Sequence, residues 1–140
     1  MRLWHKDLIS VLPRQQLLSQ WRECCCIAKA ISENGTPNHI LVNKIMDYPI
    51  DHFYRYGIFI KEEMIKRGYH CDVQKFKKYF KSDQYKFIRM EKVFSNWHNE
   101  RYLYQCYYNL QEKYDCGGIS ENEWKAVEAI FDNLLKENKE

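Results

Sequence analysis

No apolar run in this 140-residue chain approaches the roughly 18 residues that a bilayer-spanning helix requires. The opening, MRLWHKDLIS, carries charge but has no apolar stretch behind it, so it does not read as an export signal. Both absences lead to the expectation of a cytoplasmic protein that does not enter a membrane. In such a reducing setting the six cysteines are not expected to form a disulfide framework. Cys24, Cys25 and Cys26 are consecutive, Cys71, Cys106 and Cys116 stand alone, and there is no Cys-x-x-Cys or His-x-x-x-His pair to signal zinc. The thiols are expected to pack as small buried apolar groups. A phosphate-binding glycine loop and a nucleophile elbow are missing as well. The chain shows no internal repeat, linker or low-complexity segment. No metal and no cofactor is therefore expected, and residues 1–140 read as one domain.

What is present fits a globular protein: 45% of residues are hydrophobic and 29% charged, too apolar for a disordered chain. The net charge of +3 conceals an uneven distribution. Residues 1–110 carry 18 Lys and Arg against 11 Asp and Glu, whereas residues 111–140 carry 4 against 8. The most basic stretch runs from Lys75 to Lys92 and includes Lys77, Lys78, Lys81, Lys86 and Arg89 against Asp83 and Glu91. Phe76, Tyr79, Phe80, Tyr85 and Phe87 interleave with them. Cations that neutralise phosphates beside rings that stack on bases would make a nucleic-acid surface. A solvated lysine face over an aromatic core is the plainer reading of the same pattern.

Helical periodicity dominates, and strand-like alternation is scarce. Pro13 suits the start of a helix over about 13–33, stopped by Asn34-Gly35. Leu17, Leu18, Trp21, Cys24, Cys25, Ala28 and Ile31 form its apolar stripe. Gln15, Gln16, Ser19, Arg22, Glu23 and Cys26 lie on the other side at spacings of three, four and seven. A short helix over His39–Asp47 is expected to break at Pro49, and a long one to run from Asp51 to Arg67, closed by Gly68. One or two helices should fill the basic stretch, and another should run from about Ser95 to Tyr114. Ser120-Glu121-Asn122-Glu123 is a capping box, opening a last amphipathic helix through Trp124, Val127, Ile130, Phe131, Leu134 and Leu135. The expected fold is all-α, a compact single-domain bundle of roughly five to seven helices, with the N-terminal arm crossing the first long helix.

An adjacent Arg22-Glu23 pair on a helix face is by itself ordinary. In context it resembles something specific. Arg2-Leu3, Gln15-Gln16-Leu17 and Trp21-Arg22-Glu23 stand at the spacing, within one residue, found in the pyrimidine-dimer DNA glycosylase family of the phage endonuclease V type. Asn38-His39-Ile40 and Ile65-Lys66-Arg67-Gly68-Tyr69 resemble two later motifs of that family in the same order. The likeness spans about the first 70 residues, and the start also looks like the family's cellular branch.

The resemblance implies duplex DNA carrying a damaged or abasic site as substrate, and attack by the α-amine of the first residue. An unperturbed α-amine titrates near 7.7–8.0, about two to three units below lysine, so a usable neutral fraction exists at pH 7. Met1 would supply that amine, since the bulk of Arg2 disfavours removal of the methionine. Glu23 matches the family's catalytic glutamate, able to shuttle protons and stabilise a cationic sugar. Arg22 and Arg2 would hold phosphate or lesion, with Gln15, Gln16 and Ser19 on the same polar face as further binding candidates. His39 sits in a matched motif; it is read either as part of the site or as a local helix-end partner. The chain departs from the family where Gln16 replaces a histidine, Cys26 replaces an arginine, and the tail 111–140 is acidic. These departures leave the lesion open: a pyrimidine dimer, another lesion or an abasic site. They also motivate the alternative of a non-catalytic helical module that binds nucleic acid or a protein.

Overall fold

In the computed structural model, which describes residues 1–80 and 85–139, every regular element among the described residues is helical. Met1–His5 form an extended arm that leads into a 3₁₀ turn, Lys6–Val11. Helix α1 is Arg14–Asn34, α2 is Ile50–Lys66, α3 is the single turn Gln74–Lys77, α4 is Glu100–Asp115 and α5 is Glu121–Lys139. Two further 3₁₀ turns, Asn43–Asp47 and Met90–Lys92, sit in the connections.

Local chemistry accounts for the boundaries. Pro13 supplies no N–H and precedes the first turn of α1, where the Arg14 N–H is taken by the Glu123 carboxylate at 2.7 Å. The same carboxylate closes the capping box of α5, accepting from the Ser120 amide and hydroxyl while Ser120 Oγ accepts from the Glu123 N–H. One side chain therefore caps two helices, and these bonds hold the Glu123 carboxyl below its usual pKa against the raising effect of its burial. Helix α4 opens at Asn99, whose side chain accepts from the Tyr102 N–H, and not at Ser95 as expected; Ser95–His98 fold as turns instead. The helix expected over His39–Asp47 is reduced to the 3₁₀ turn Asn43–Asp47. The basic stretch holds only α3 and one 3₁₀ turn among its described residues; Lys81 and Asp83 lie outside them.

Helix α1 packs on α2, and α4 on α5. Leu17, Trp21, Cys24 and Ala28 of α1 meet Phe53, Tyr56, Ile60 and Met64 of α2 in one core. Phe76 drives its ring onto the α2 backbone at Gly57, where any Cβ would fall well inside van der Waals contact with the ring. Tyr107 and Phe131 stack at 3.8 Å between ring centres to join α4 and α5. The start of the chain is part of this core: Leu3, Leu8, Ile9 and Leu12 are fully buried. Arg67 donates to the carbonyls of Leu12, Ile9 and Ser10, satisfying the end of the first 3₁₀ turn from the end of α2. Of the cysteines, Cys24 and Cys106 are buried as expected, but Cys26, on the α1 face away from the core, and Cys116, in the turn that ends α4, are exposed.

Candidate active site

The site grows from how the arm is mounted on α1. Gln20, which is 0% exposed, uses its amide on both sides. Its Oε1 accepts the Trp4 N–H at 2.7 Å, and its Nε2 donates to the Arg2 carbonyl at 3.0 Å and to Glu23 Oε2 at 3.1 Å. Tyr56 donates its hydroxyl to the Trp4 carbonyl at 2.6 Å and lies 2.9 Å from Gln20 Oε1. Tyr102 of α4 donates to the Leu3 carbonyl at 2.6 Å. Four of these bonds reach the arm through its backbone, at the Arg2, Leu3 and Trp4 carbonyls and the Trp4 N–H, and together with the buried Leu3 and Trp4 side chains they seat the arm against α1 near Glu23. The arm does lie across the first long helix.

Met1, Arg2, Trp4, Gln15, Gln16, Ser19 and Glu23 line a cavity of about 340 Å³, together with Leu41, Asn109 and Lys113. Six of the eight residues singled out by sequence thus share one wall. Gln15, Gln16, Ser19 and Glu23 do so because spacings of one, three and four keep them on one side of α1. Arg22 is exposed and donates to Ser19 Oγ at 3.2 Å. His39 is partly buried, and its Nδ1 accepts the Leu41 N–H. Neither lines the cavity, but both act on it electrostatically. Burial raises the Glu23 carboxyl above its usual pKa, while the N-terminal α-amine, Arg22 and His39 each pull it down; burial prevails. The charged amine at the chain start therefore acts on the carboxyl of α1.

Arg2 is partly buried; its guanidinium lies over the Trp4 ring, 5.5 Å from the ring centre, and 3.9 Å from Cys106 Sγ. The amide oxygens of Gln16 and Asn109 are buried at the cavity wall without a protein donor, which leaves both able to accept a bond from a guest. No group of three or more His, Cys, Asp or Glu side chains among the described residues is placed to hold a metal ion. No helix among them is long and apolar enough to cross a membrane.

Sequence reasoning missed Gln20, Asn109 and Lys113. The last two come from α4, some ninety residues along the chain, and no local pattern connects them to Glu23. The described residues of the basic stretch, by contrast, contribute nothing to this cavity. Phe76 is fully buried and Tyr79 and Phe80 pack against the core, leaving Phe87 as the ring most open to solvent.

Residues 1–77, which contain the arm, α1 and α2, match the model of a protein family described as pyrimidine dimer DNA glycosylase. The chain belongs to that family. The matched region holds every site residue read from the sequence, while the α4 wall of the cavity lies beyond it. No curated protein and no solved structure matches the chain. For this pyrimidine dimer DNA glycosylase family member, the cavity with its amine, carboxylate and flanking cations is the candidate active site.

Proposed function

We propose that the protein is a DNA repair glycosylase with abasic-site lyase activity, acting on damaged pyrimidines in duplex DNA through an imine to the α-amine of Met1. The observation that carries this reading is the shared cavity: the chain-terminal amine and the partly buried Glu23 carboxylate line it together and interact through their charges.

In this reaction the unprotonated amine forms a bond to C1′ of the damaged nucleotide. The bond from C1′ to the base breaks, and the base leaves with the electron pair. Opening of the sugar ring gives a protonated imine between Met1 and C1′. Loss of a proton from C2′ then expels the 3′ phosphate by β-elimination, and water releases the amine. Glu23 is the group that exchanges protons with the sugar and balances its positive charge. Its raised pKa suits a residue that gives as well as takes a proton. The Gln20 bond fixes one oxygen of the carboxylate and leaves the other for substrate. Arg2, Arg22 and Lys113 supply positive charge for the DNA backbone, and Gln15, Gln16 and Ser19 supply polar contacts to the lesion.

The test is borohydride trapping of protein with a confirmed free N-terminus, using duplexes that carry an abasic site or ultraviolet damage. A covalent adduct mapped to the Met1 α-amine and diminished in Glu23→Gln is the expected result. Adduct on the abasic site alone narrows the activity to a lyase. No adduct on either duplex, with salt-sensitive binding retained, overturns the enzyme reading in favour of a non-catalytic DNA-binding module.

A further inference from the structure

The turn between α1 and the 3₁₀ segment Asn43–Asp47 presents its apolar residues to solvent. Ile40 is 85% exposed and Leu41 47%, whereas the next residue, Val42, is fully buried and anchors the turn. Side chains hold the tip in place: the Asn38 N–H reaches Thr36 Oγ1, the His39 N–H reaches Asn43 Oδ1, and the Leu41 N–H reaches His39 Nδ1. The Val42 and Asn43 amides both return to the His39 carbonyl. Asn38 takes the left-handed conformation that turns the chain, at φ 55°. Ile40 and Leu41 together thus form an exposed apolar tip on a braced turn.

Leu41 and Arg2 border both the candidate active site and a second cavity of about 500 Å³, lined by Ile40, Lys44, Trp97, Tyr102 and Gln105 as well. The tip is thus a partition between two adjoining cavities. Around them stand Arg2, Lys44, Lys113 and the N-terminal amine, and the one carboxylate among the lining residues is Glu23. An apolar tip ringed by cations and flanked by hollows on both sides fits a polyanion whose interior is apolar and stacked.

We propose that Ile40, backed by Leu41, is a wedge that enters the base stack of the duplex beside the lesion and holds the opened step apart while Arg2 and Lys44 grip the phosphates. Apolar side chains inserted between base pairs replace lost stacking with their own contacts and kink the duplex. This rests on the function proposed above for the neighbouring cavity.

The test separates opening of the stack from the chemistry. The DNA probes are one abasic duplex carrying 2-aminopurine next to the site and the same abasic strand unpaired. Wild-type protein is expected to raise the 2-aminopurine fluorescence of the duplex, reporting unstacking, and to trap both substrates. Ile40→Ala, at an exposed position that does not support the core, should lose the fluorescence rise and trap the duplex roughly tenfold or more slowly. It should trap the single strand at the wild-type rate, because no stack has to be opened there. Ile40→Leu should restore the duplex behaviour. An unchanged fluorescence rise in Ile40→Ala, or equal losses on duplex and single strand, overturns the wedge. If wild-type protein traps neither substrate the imine chemistry falls, and the fluorescence arm still decides the wedge.

Discussion

At neutral pH the Glu23 carboxylate is partly withdrawn from water, and burial raises its pKa above the usual value despite three nearby positive groups. A carboxyl whose folded pKa exceeds its unfolded one stabilises the fold fully only below the unfolded value, about 4.3, and loses that contribution as pH rises through the folded value. At pH 7 the ionised group therefore works against folding. Glu23→Gln keeps the size, can still accept the Gln20 amide, and removes the charge. It is expected to raise the midpoint of thermal unfolding at pH 7, while trapping on abasic DNA falls by roughly a hundredfold or more. Calorimetry and borohydride trapping on one preparation check both halves; a lower melting point in Glu23→Gln would contradict the account of the charge. Glu23 was readable in the sequence because Arg22-Glu23 stands at family spacing behind the arm. Gln20 was not, because nothing in a helix sequence distinguishes a surface glutamine from one buried beneath a chain segment that crosses above it.

Among the elements, α1 announces both its limits and α5 its start. Pro13, Gly35 and the Ser120–Glu123 box act through local hydrogen bonding, and the structure starts and stops these helices at those positions. Helix α4 resists such reading, because Phe94 and Trp97 continue an apolar spacing but belong to turns, with Phe94 at φ 50°. Phe94 is placed by long-range packing against Tyr48 and Tyr56, and Trp97 by its N–H donated to the Tyr48 hydroxyl. Helix α2 carries a comparable long-range demand at Gly57, where the Phe76 ring seals the core against bare backbone. Gly57→Ala would be welcome in an isolated helix by about 1 kcal/mol. Here it should destabilise by about 1–3 kcal/mol, since overpacking must displace an aromatic wedged among Trp21, Phe53 and Tyr54. Urea unfolding of Gly57→Ala measures this; a gain in stability would mean that the ring is free to withdraw.

Across the whole molecule, the family-matched part is hydrogen-bonded to the part that follows. We propose that residues 1–140 fold as one unit, since the arm is seated by Tyr102, the turn after it by His98, and α1 by Glu123. A fragment ending at residue 77 should show little cooperative unfolding and no trapping, in contrast to the full chain; a sharp thermal transition in the fragment would refute the proposal. The junction also sets a pH limit. His98 Nδ1 accepts the Lys6 backbone N–H at 3.0 Å, so its neutral form is required, and burial with His5 and Lys6 nearby drives its pKa well below the usual value. His5 is lowered too, by burial above all. A histidine depressed in the fold leaves stability intact above the unfolded value, about 6.5, and withdraws it as pH falls towards the folded one. The melting temperature should therefore drop steadily from pH 7 to pH 5, and a flat profile over that range would show that these rings do not govern acid stability.

Because the arm is gripped by its peptide groups, at the Arg2, Leu3 and Trp4 carbonyls and the Trp4 N–H, the mount is indifferent to which side chain stands at the exposed end. Under the function proposed above, change at Arg2 would then alter contacts to the substrate without dismantling the frame that presents the chain end. Substitutions at Arg2, whose carbonyl and not its side chain takes the Gln20 bond, should therefore leave the protein folded, as thermal unfolding of Arg2→Lys and Arg2→Ala would check.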